Sequence, residues 1–460
     1  MTKLLPLCIV LVAASTSVSA QTYTVLHNFG SVAGDPTGPR YSGVISQSRG
    51  GNMFSSADDH WTDDNGTAFR ISPEGTLKVV HRFGPPGAVR PVGGLTLGTD
   101  GQYYGTNEAG GIYGHGNVFK MKQGGGLTVL HPFDGNSGCS TPEAPPIESV
   151  KGDFYGTAIG DNNDNTSHGC IYRVTKSGEF TVLHSFSGSD GAQPYAPVVQ
   201  GSNFYLYGTT FSGGTHGYGT IFRISTKGDF KVIFNFDGTH GANPYAGLIE
   251  ASDGNFYGTA TAGGLYGGGT AYQLTTGQTV MVLHNFSGGS DGSNEVGGLV
   301  EATDGNFYGT NNVGGRYGWG VLYRVTKKGD ITVLHAFDWN TGASPQDTLL
   351  QHTNGLLYGT TAVGGVKNNG RGTFYSFDLG LLPFVTYLPV YGLPGAVVQI
   401  LGQGFTDASE VFFNGTPATY KLVYPTYIRA AVPEGTTSGP ITVTTANGTL
   451  TSNHVFIVHP

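Results

Sequence analysis

The chain has 460 residues, a formal net charge of −8 and only 12% charged residues, so it lacks the clustered Lys and Arg that nucleic-acid or anionic-membrane binding requires. Its 77 Gly, 25 Tyr and 26 Phe argue against disorder and for a turn-rich all-β chain with aromatic cores. At the start, Met-Thr-Lys and a mostly apolar stretch from Leu4 to Ala14 run into small residues ending Val18-Ser19-Ala20, which predicts a secretory signal peptide over residues 1–20. Cleavage there leaves Gln21 first and removes Cys8 with the signal. No later stretch approaches the roughly 20 consecutive apolar residues of a membrane span. A secreted, extracellular or cell-surface protein without membrane insertion is therefore expected.

From residue 21 the sequence is periodic. A Tyr-Gly-Thr triplet recurs at Tyr104, Tyr155, Tyr207, Tyr257, Tyr308 and Tyr358, and Phe54 fills the slot in a degenerate first copy, giving seven copies spaced 50 to 52 residues. In one copy Gly298-Leu-Val-Glu301 leads through a Thr303-Asp304-Gly305-Asn306 turn to Phe307-Tyr-Gly-Thr310. A glycine loop, Val321 to Val325, a Lys-Lys-Gly-Asp turn and Ile331 to Phe337 follow. Asp-Gly between apolar runs marks a hairpin, because type I′ turns need residues that tolerate positive φ. Each unit thus predicts a four-stranded antiparallel meander, the blade of a propeller. The seventh third strand, Thr373 to Phe377, has no outer strand after it, whereas an unattached one, Thr24 to Phe29, precedes the first unit. The expected fold is all-β: a seven-bladed β-propeller over residues 21–378, closed by the N-terminal strand, which removes exposed sheet edges.

Residues 379–383 read as a linker, and from Phe384 to Pro460 alternating strands such as Val397 to Ile400 and Ile441 to Thr444 are separated by Asn-Gly turns, as in a small immunoglobulin-like β-sandwich. The run Gly402-Gln-Gly-Phe405, Val411-Phe-Phe-Asn-Gly415, Ala431-Val-Pro433 and Ser438-Gly-Pro-Ile-Thr-Val443 resembles the IPT/TIG family over this segment. The repeat Gly298-Leu-Val-Glu-Ala-Thr-Asp-Gly-Asn-Phe-Tyr-Gly-Thr310 resembles the bacterial Gloeo_Verruco (GloVer) tandem repeat of choice-of-anchor proteins, over residues 22 to about 377. That resemblance implies an exported bacterial protein and brings no reaction, ligand or functional residue with it.

Histidine recurs in the outer strands at 27, 81, 131, 184, 284 and 335, with Phe234 in the remaining copy. A residue repeated in nearly every blade and replaceable by Phe is read as packing, as is the Phe two positions on. The loops of one propeller face carry Trp61, Tyr113, His115, His216, Tyr218, Tyr266, Tyr317 and Trp319 among glycines, with Asp134, Asp190, Asp237, Asp291 and Asp338 nearby. Aromatics beside carboxylates suit stacking on sugar rings or peptide side chains. The alternative is that these aromatics pack over their own glycine loops. Cys139 and Cys170 survive processing and form a disulfide candidate.

Two acidic loops, Asp58 to Asp64 and Asp161 to Asn165, break the repeat; Ca²⁺ is the one cofactor they suggest, but neither has EF-hand spacing or its closing Glu, and a solvated polar loop is the preferred reading. Seven residues before each triplet lies Gln47, Glu148, Gln200, Glu250, Glu301 or Gln351, with Leu97 in the second copy. This predicts a polar ring on the inner strands, lining a central channel and either hydrating it or meeting a cation.

No catalytic constellation stands out. The expected function is non-catalytic binding or adhesion, the loop face contacting an extracellular glycan or protein. The alternatives are a glycan-active hydrolase or lyase working through paired loop carboxylates, and a structural cell-surface or matrix protein.

Overall fold

The computed structural model describes residues 21–39, 43–59, 65–84, 88–161, 167–366, 370–407 and 409–458. The expected signal peptide and Trp61 lie outside them, as do residues 60–64 and 162–166 of the acidic loops. The described residues contain no α-helix, only one 3-10 turn at Asn136–Gly138 among many short strands. The molecule is all-β and propeller-like.

Seven four-stranded antiparallel sheets succeed one another along the repeat. Sheet 1 runs outward through Ser46–Gln47, Met53–Ala57, Thr67–Ile71 and Leu77–Arg82. Sheets 2 to 6 repeat that order, their inner strands being Thr96–Leu97, Ile147–Glu148, Val199–Gln200, Ile249–Glu250 and Val300–Glu301. Sheet 7 takes Leu350–Gln351, Leu357–Thr361 and Thr373–Asp378 from one end of the repeat and Thr22–Asn28 from the other. The N-terminal strand pairs antiparallel with Thr373–Asp378, Thr24 facing Ser376 and Val25 facing Tyr375.

The packing explains the triplet residue by residue. The Tyr ring lies against an aromatic of the next sheet, as Tyr104 on Phe154 at 3.6 Å and Tyr257 on Phe307 at 4.1 Å. Its hydroxyl donates back to the Asp of its own hairpin turn, Tyr257 to Asp253 at 2.7 Å and Tyr104 to Asp100 at 2.9 Å. Glycine follows because a Cβ on Gly156 would lie 2.3 Å from the Tyr172 hydroxyl. The Thr hydroxyl then donates to a backbone carbonyl leading into the next sheet, Thr157 to Ala196 at 2.8 Å. The resulting apolar cores sit between sheets, one joining Phe54 and Ala68 to Tyr103 and Phe119, another joining Phe29 and Phe374 to Met53 and Phe69 across sheets 7 and 1.

The recurring histidines are packing residues. His131 stacks on Phe180 of the next sheet at 3.6 Å, His184 on Phe230 at 3.7 Å, and His335 on Tyr23 at 3.8 Å. A register shift recurs just before them, between Val118 and Phe119 in sheet 2 and between Ile171 and Tyr172 in sheet 3. Such a bulge sharpens the twist of an outer strand, and its position is not evident from apolar alternation.

The C-terminal segment is a two-sheet sandwich. Four strands, Thr386–Leu388, Val397–Leu401, Tyr427–Ala431 and Tyr420–Tyr424, face five, Tyr391–Gly392, Gly448–Val458, Gly439–Thr445, Glu410–Phe413 and Thr416–Ala418. Inward residues of both sheets, among them Val398, Ile428, Val411, Ile441 and Phe456, share one core.

Candidate functional site

The glycine loops between second and third strands are held by backbone turns, such as Gly217 N–H to Gly214 at 3.3 Å. Tyr113, His216, Tyr266 and Tyr317 stand exposed at their tips, Tyr266 at 62% and Tyr113 at 56%. Two positions on, the aromatic leans onto the loop that leaves its own sheet: His115 lies over Gly135, Tyr218 over Gly238, and Trp319 meets Trp339 edge-on at 4.9 Å. The candidate set therefore divides into exposed tips, of which Tyr317 carries the Arg316 guanidinium 5.4 Å over its ring, and residues partly engaged in packing. The nearby aspartates are committed locally: Asp190 and Asp291 accept from His184 and His284 at 3.0 and 3.1 Å, and Asp338 from Thr341 N–H at 2.7 Å. Asp134 and Asp237 likewise accept from Asn136 and Thr239 within their own loops.

The inner-strand ring is a set of clasps between sheets. Glu148 accepts from the N–H and hydroxyl of Thr99, Glu250 from those of Ser202, and Glu301 from those of Ser252. Gln200 accepts from Val150 N–H at 3.0 Å and Gln351 from Thr303 N–H at 3.1 Å. Gln47 takes Thr353 N–H at 3.0 Å and returns a bond to its hydroxyl at 2.7 Å, joining sheet 1 to sheet 7. Lys176 and Lys327 pair with Glu148 and Glu301 at 2.6 and 2.9 Å. Glu recurs here because its two oxygens accept a neighbour's N–H and hydroxyl together, and Gln because its oxygen accepts the N–H while its amide nitrogen can donate to the hydroxyl where the neighbour is Thr. Leu97 cannot, and at that joint Arg49 turns to the Thr99 carbonyl at 2.8 Å and to Gln399 of the C-terminal domain at 2.6 Å.

Cys139 and Cys170 are bonded to each other, with Cα atoms 5.1 Å apart, tying the loop before sheet 3 to that sheet's third strand. Among the described residues no three His, Cys, Asp or Glu side chains gather as a metal site.

A site absent from the sequence reading lies where the loops enter the inner strands. Five residues before the inner-strand column positions of sheets 2 to 7 stand Val92, Glu143, Tyr195, Tyr245, Val296 and Gln346. The Tyr245 hydroxyl donates to Glu143 at 3.3 Å, although one residue leads into sheet 5 and the other into sheet 3. The loops entering sheets 3 and 5 therefore converge at this point. Tyr195, from the intervening sheet 4, stacks on Tyr245 at 4.6 Å and meets Phe211 edge-on at 5.4 Å. Arg90 pairs with Glu108 at 3.1 Å on the same rim.

Burial, and then the charge of Glu108, push the Glu143 carboxyl up to about 8, so it is protonated at neutral pH. Burial raises Glu108 as well, against the pull of Arg90 and with a smaller push from Asp58. The rim thus presents a neutral carboxylic acid, an ion-paired carboxylate and an aromatic wall. The signal in the sequence was the irregularity of this column, which apolar periodicity passes over.

A family model for the Gloeobacter/Verrucomicrobia repeat matches residues 13–167 and 142–375, and an IPT/TIG domain model matches 384–457. No curated protein matches the sequence. Among solved structures the chain is similar to a fungal alcohol oxidase of the AA5 family in complex with copper, at 13% identity and a TM-score of 0.51 over 96% of this chain and 100% of that one, a likeness of fold alone. It is also similar to a putative 6-phosphogluconolactonase from Bacteroides fragilis, at 16% identity and a TM-score of 0.47 over 76% of this chain and 90% of that one. A PQQ-bound aldose sugar dehydrogenase from Streptomyces coelicolor shows 13% identity and a TM-score of 0.40 over 79% of this chain and 99% of that one. The repeat model spans most of the chain at the period of the sheets, so this protein belongs to the Gloeobacter/Verrucomicrobia repeat family and carries an IPT/TIG domain over residues 384–457.

Proposed function

We propose that this chain is an exported binding protein whose seven sheets are the blades of one seven-bladed propeller, closed by the N-terminal strand, and whose loop face takes an extracellular saccharide at the axial rim. The observation that supports a saccharide is the Tyr195–Tyr245 stack with Glu143 on the Tyr245 hydroxyl. Aromatic walls match the C–H faces of a sugar ring, while a carboxylic acid, a carboxylate and a guanidinium serve its hydroxyls. The Cys139–Cys170 bond and the apolar leader support export to an oxidising compartment. The test is a glycan array probed with the protein from Gln21 onward, with and without Ca²⁺. A hit weakened at least about 10-fold by Tyr245→Ala, roughly the 1.4 kcal/mol of one aromatic contact, supports the reading. Binding that ignores Tyr195→Ala and Tyr245→Ala overturns the site.

A second reading, glycan hydrolysis or lysis, draws on the same rim, because a protonated Glu143 beside an ionised Glu108 is how an acid and a base are set apart. Turnover of an array hit that Glu143→Gln abolishes while binding persists would select it.

A further inference from the structure

The break in the clasp ring at Leu97 coincides with the seat of the C-terminal domain. Arg49, left without a Gln or Glu partner on sheet 2, reaches Gln399, and Gln399 donates to the Thr99 carbonyl at 2.6 Å. Thr426 donates to the Arg49 carbonyl at 2.7 Å, Gln403 to Thr353 at 2.8 Å, and Arg49 lies 5.0 Å over the Tyr427 ring. The sandwich therefore caps the inner-strand end of the propeller-like domain, opposite the aromatic rim.

Between cap and inner strands is a cavity of about 450 Å³, within the range of small-molecule sites. Inner-strand residues of sheets 1, 2, 5, 6 and 7 form its walls, and Phe384, Tyr387, Leu388 and Leu401 line it from the cap. Leu97, Ile249, Leu299 and Leu349 make much of the wall aliphatic. The polar side chains facing it are largely committed already, Gln47, Glu250, Glu301 and Gln351 in clasps and Gln399 to Arg49, Thr99 and Tyr427. Two lining residues keep a buried polar atom with no protein partner: Arg49 Nε, a donor, and Asn453 Oδ1, an acceptor. Buried polar atoms almost always find a partner, so two orphans around one cavity call for a group that supplies both.

We propose that this chamber binds a small uncharged molecule with an apolar body and one polar end, an amide or a hydroxyl, that donates to Asn453 and accepts from Arg49. A charged ligand fits poorly, because the lining already holds charges of both signs, Arg49 together with Glu250 and Glu301. The molecule would be enclosed by both domains and so would bind only while the cap is seated.

The probe is N-phenyl-1-naphthylamine, a neutral aryl amine whose fluorescence rises in apolar surroundings and whose N–H can donate to Asn453. Saturable binding of one molecule per chain is expected, unchanged by Tyr195→Ala and Tyr245→Ala at the opposite rim. Leu97→Trp, which fills the chamber, should weaken it at least 10-fold, and Asn453→Leu, which removes the acceptor at similar size, about 5-fold, each with the cooperative thermal transition retained. Should Leu97→Trp fail to fold, Asn453→Leu carries the test. Fluorescence that does not saturate, or binding that Asn453→Leu and a folded Leu97→Trp leave intact, overturns the proposal and assigns the dye to the exposed loop tips.

Discussion

Gln47 and Thr353 hold each other by two hydrogen bonds, of 2.7 and 3.0 Å, across 306 residues of sequence. The same reciprocal geometry joins Gln351 to Thr303 between sheets 7 and 6, so the contact of first and last sheets is built like an ordinary joint. Gln47 is 7% exposed, and Gln47→Leu leaves the Thr353 N–H without its acceptor. The expected cost is about 2–3 kcal/mol, the usual range for stranding a buried donor together with a lost bond. Urea denaturation with an unchanged m-value checks it; a loss below about 0.5 kcal/mol would show that the joint does not depend on the clasp.

The turn between third and outer strands needs glycine for a reason outside the turn. Gly125 has φ +93°, and a Cβ there would lie 1.8 Å from the Val80 carbonyl of the preceding sheet. Gly125→Ala should therefore destabilise by more than about 2 kcal/mol, through backbone strain and displacement of sheet 1 from sheet 2. Gly124, with open space around its Cβ position, is the control, and Gly124→Ala should stay within about 0.5 kcal/mol.

Glu143 sets a pH dependence. Its carboxyl is raised from 4.5 to about 8 by burial and by the Glu108 charge. A raised carboxyl contributes stability that is full below the unfolded value near 4.5 and is lost as pH climbs through about 8. The wild type should thus lose stability between pH 5 and 8.5, and Glu143→Gln should flatten that slope by at least about 1.4 kcal/mol, the worth of one pKa unit. Thermal melts across the range measure it, and parallel slopes in the two proteins would contradict the assignment.

His335 acts at the other end. Burial lowers it to about 4, with Asp338 pulling the other way. A depressed histidine contributes stability above its unfolded value near 6.5 that disappears as pH falls through about 4. His335→Phe keeps the stack on Tyr23 and, in thermal melts, should lose less stability than the parent as pH falls from 6.5 to 4; equal losses over that window would contradict the assignment. Phe234 already fills the equivalent position in sheet 4, which makes the replacement tolerable.

The disulfide closes a separation of 31 residues, for which chain entropy gives about 3–4 kcal/mol. Cys139→Ser with Cys170→Ser should lower the unfolding free energy by that order and the midpoint with it, and wild type in strong reductant should move likewise. A reductant-insensitive midpoint would mean the pair adds nothing.

The periodicity of the Tyr-Gly-Thr triplet specified four strands per unit, and the unmatched strands expected at 24–29 and 373–377 specified a pairing that the structure makes between Thr22–Asn28 and Thr373–Asp378. Those features were legible because they are local patterns of apolar residues and turns repeated many times. The histidine column was legible for the same reason, since a residue that alternates with Phe packs wherever it sits. The bulge before each histidine was not, because it follows from outer-strand twist and not from alternation.

The functional surfaces divide along the same line. Composition placed aromatics in loops, but which of them are free depends on what lies over Gly135, Gly238 and Trp339, and that is decided by the neighbouring loop's path. The Gln and Glu column was visible as a pattern, yet its role as a clasp depends on an N–H that approaches from a residue some 50 positions away. Glu143, Tyr195 and Tyr245 are irregular members of one column in the sequence, and only the convergence of sheets 3, 4 and 5 brings them together. The sequence by itself therefore determined the units and their strand order, encoded in local propensity and repetition, and offered Cys139 and Cys170 as a disulfide candidate by their number alone. The tertiary structure decided the rim, the clasps and the capped chamber, because each joins atoms from different units and depends on the angle at which those units meet.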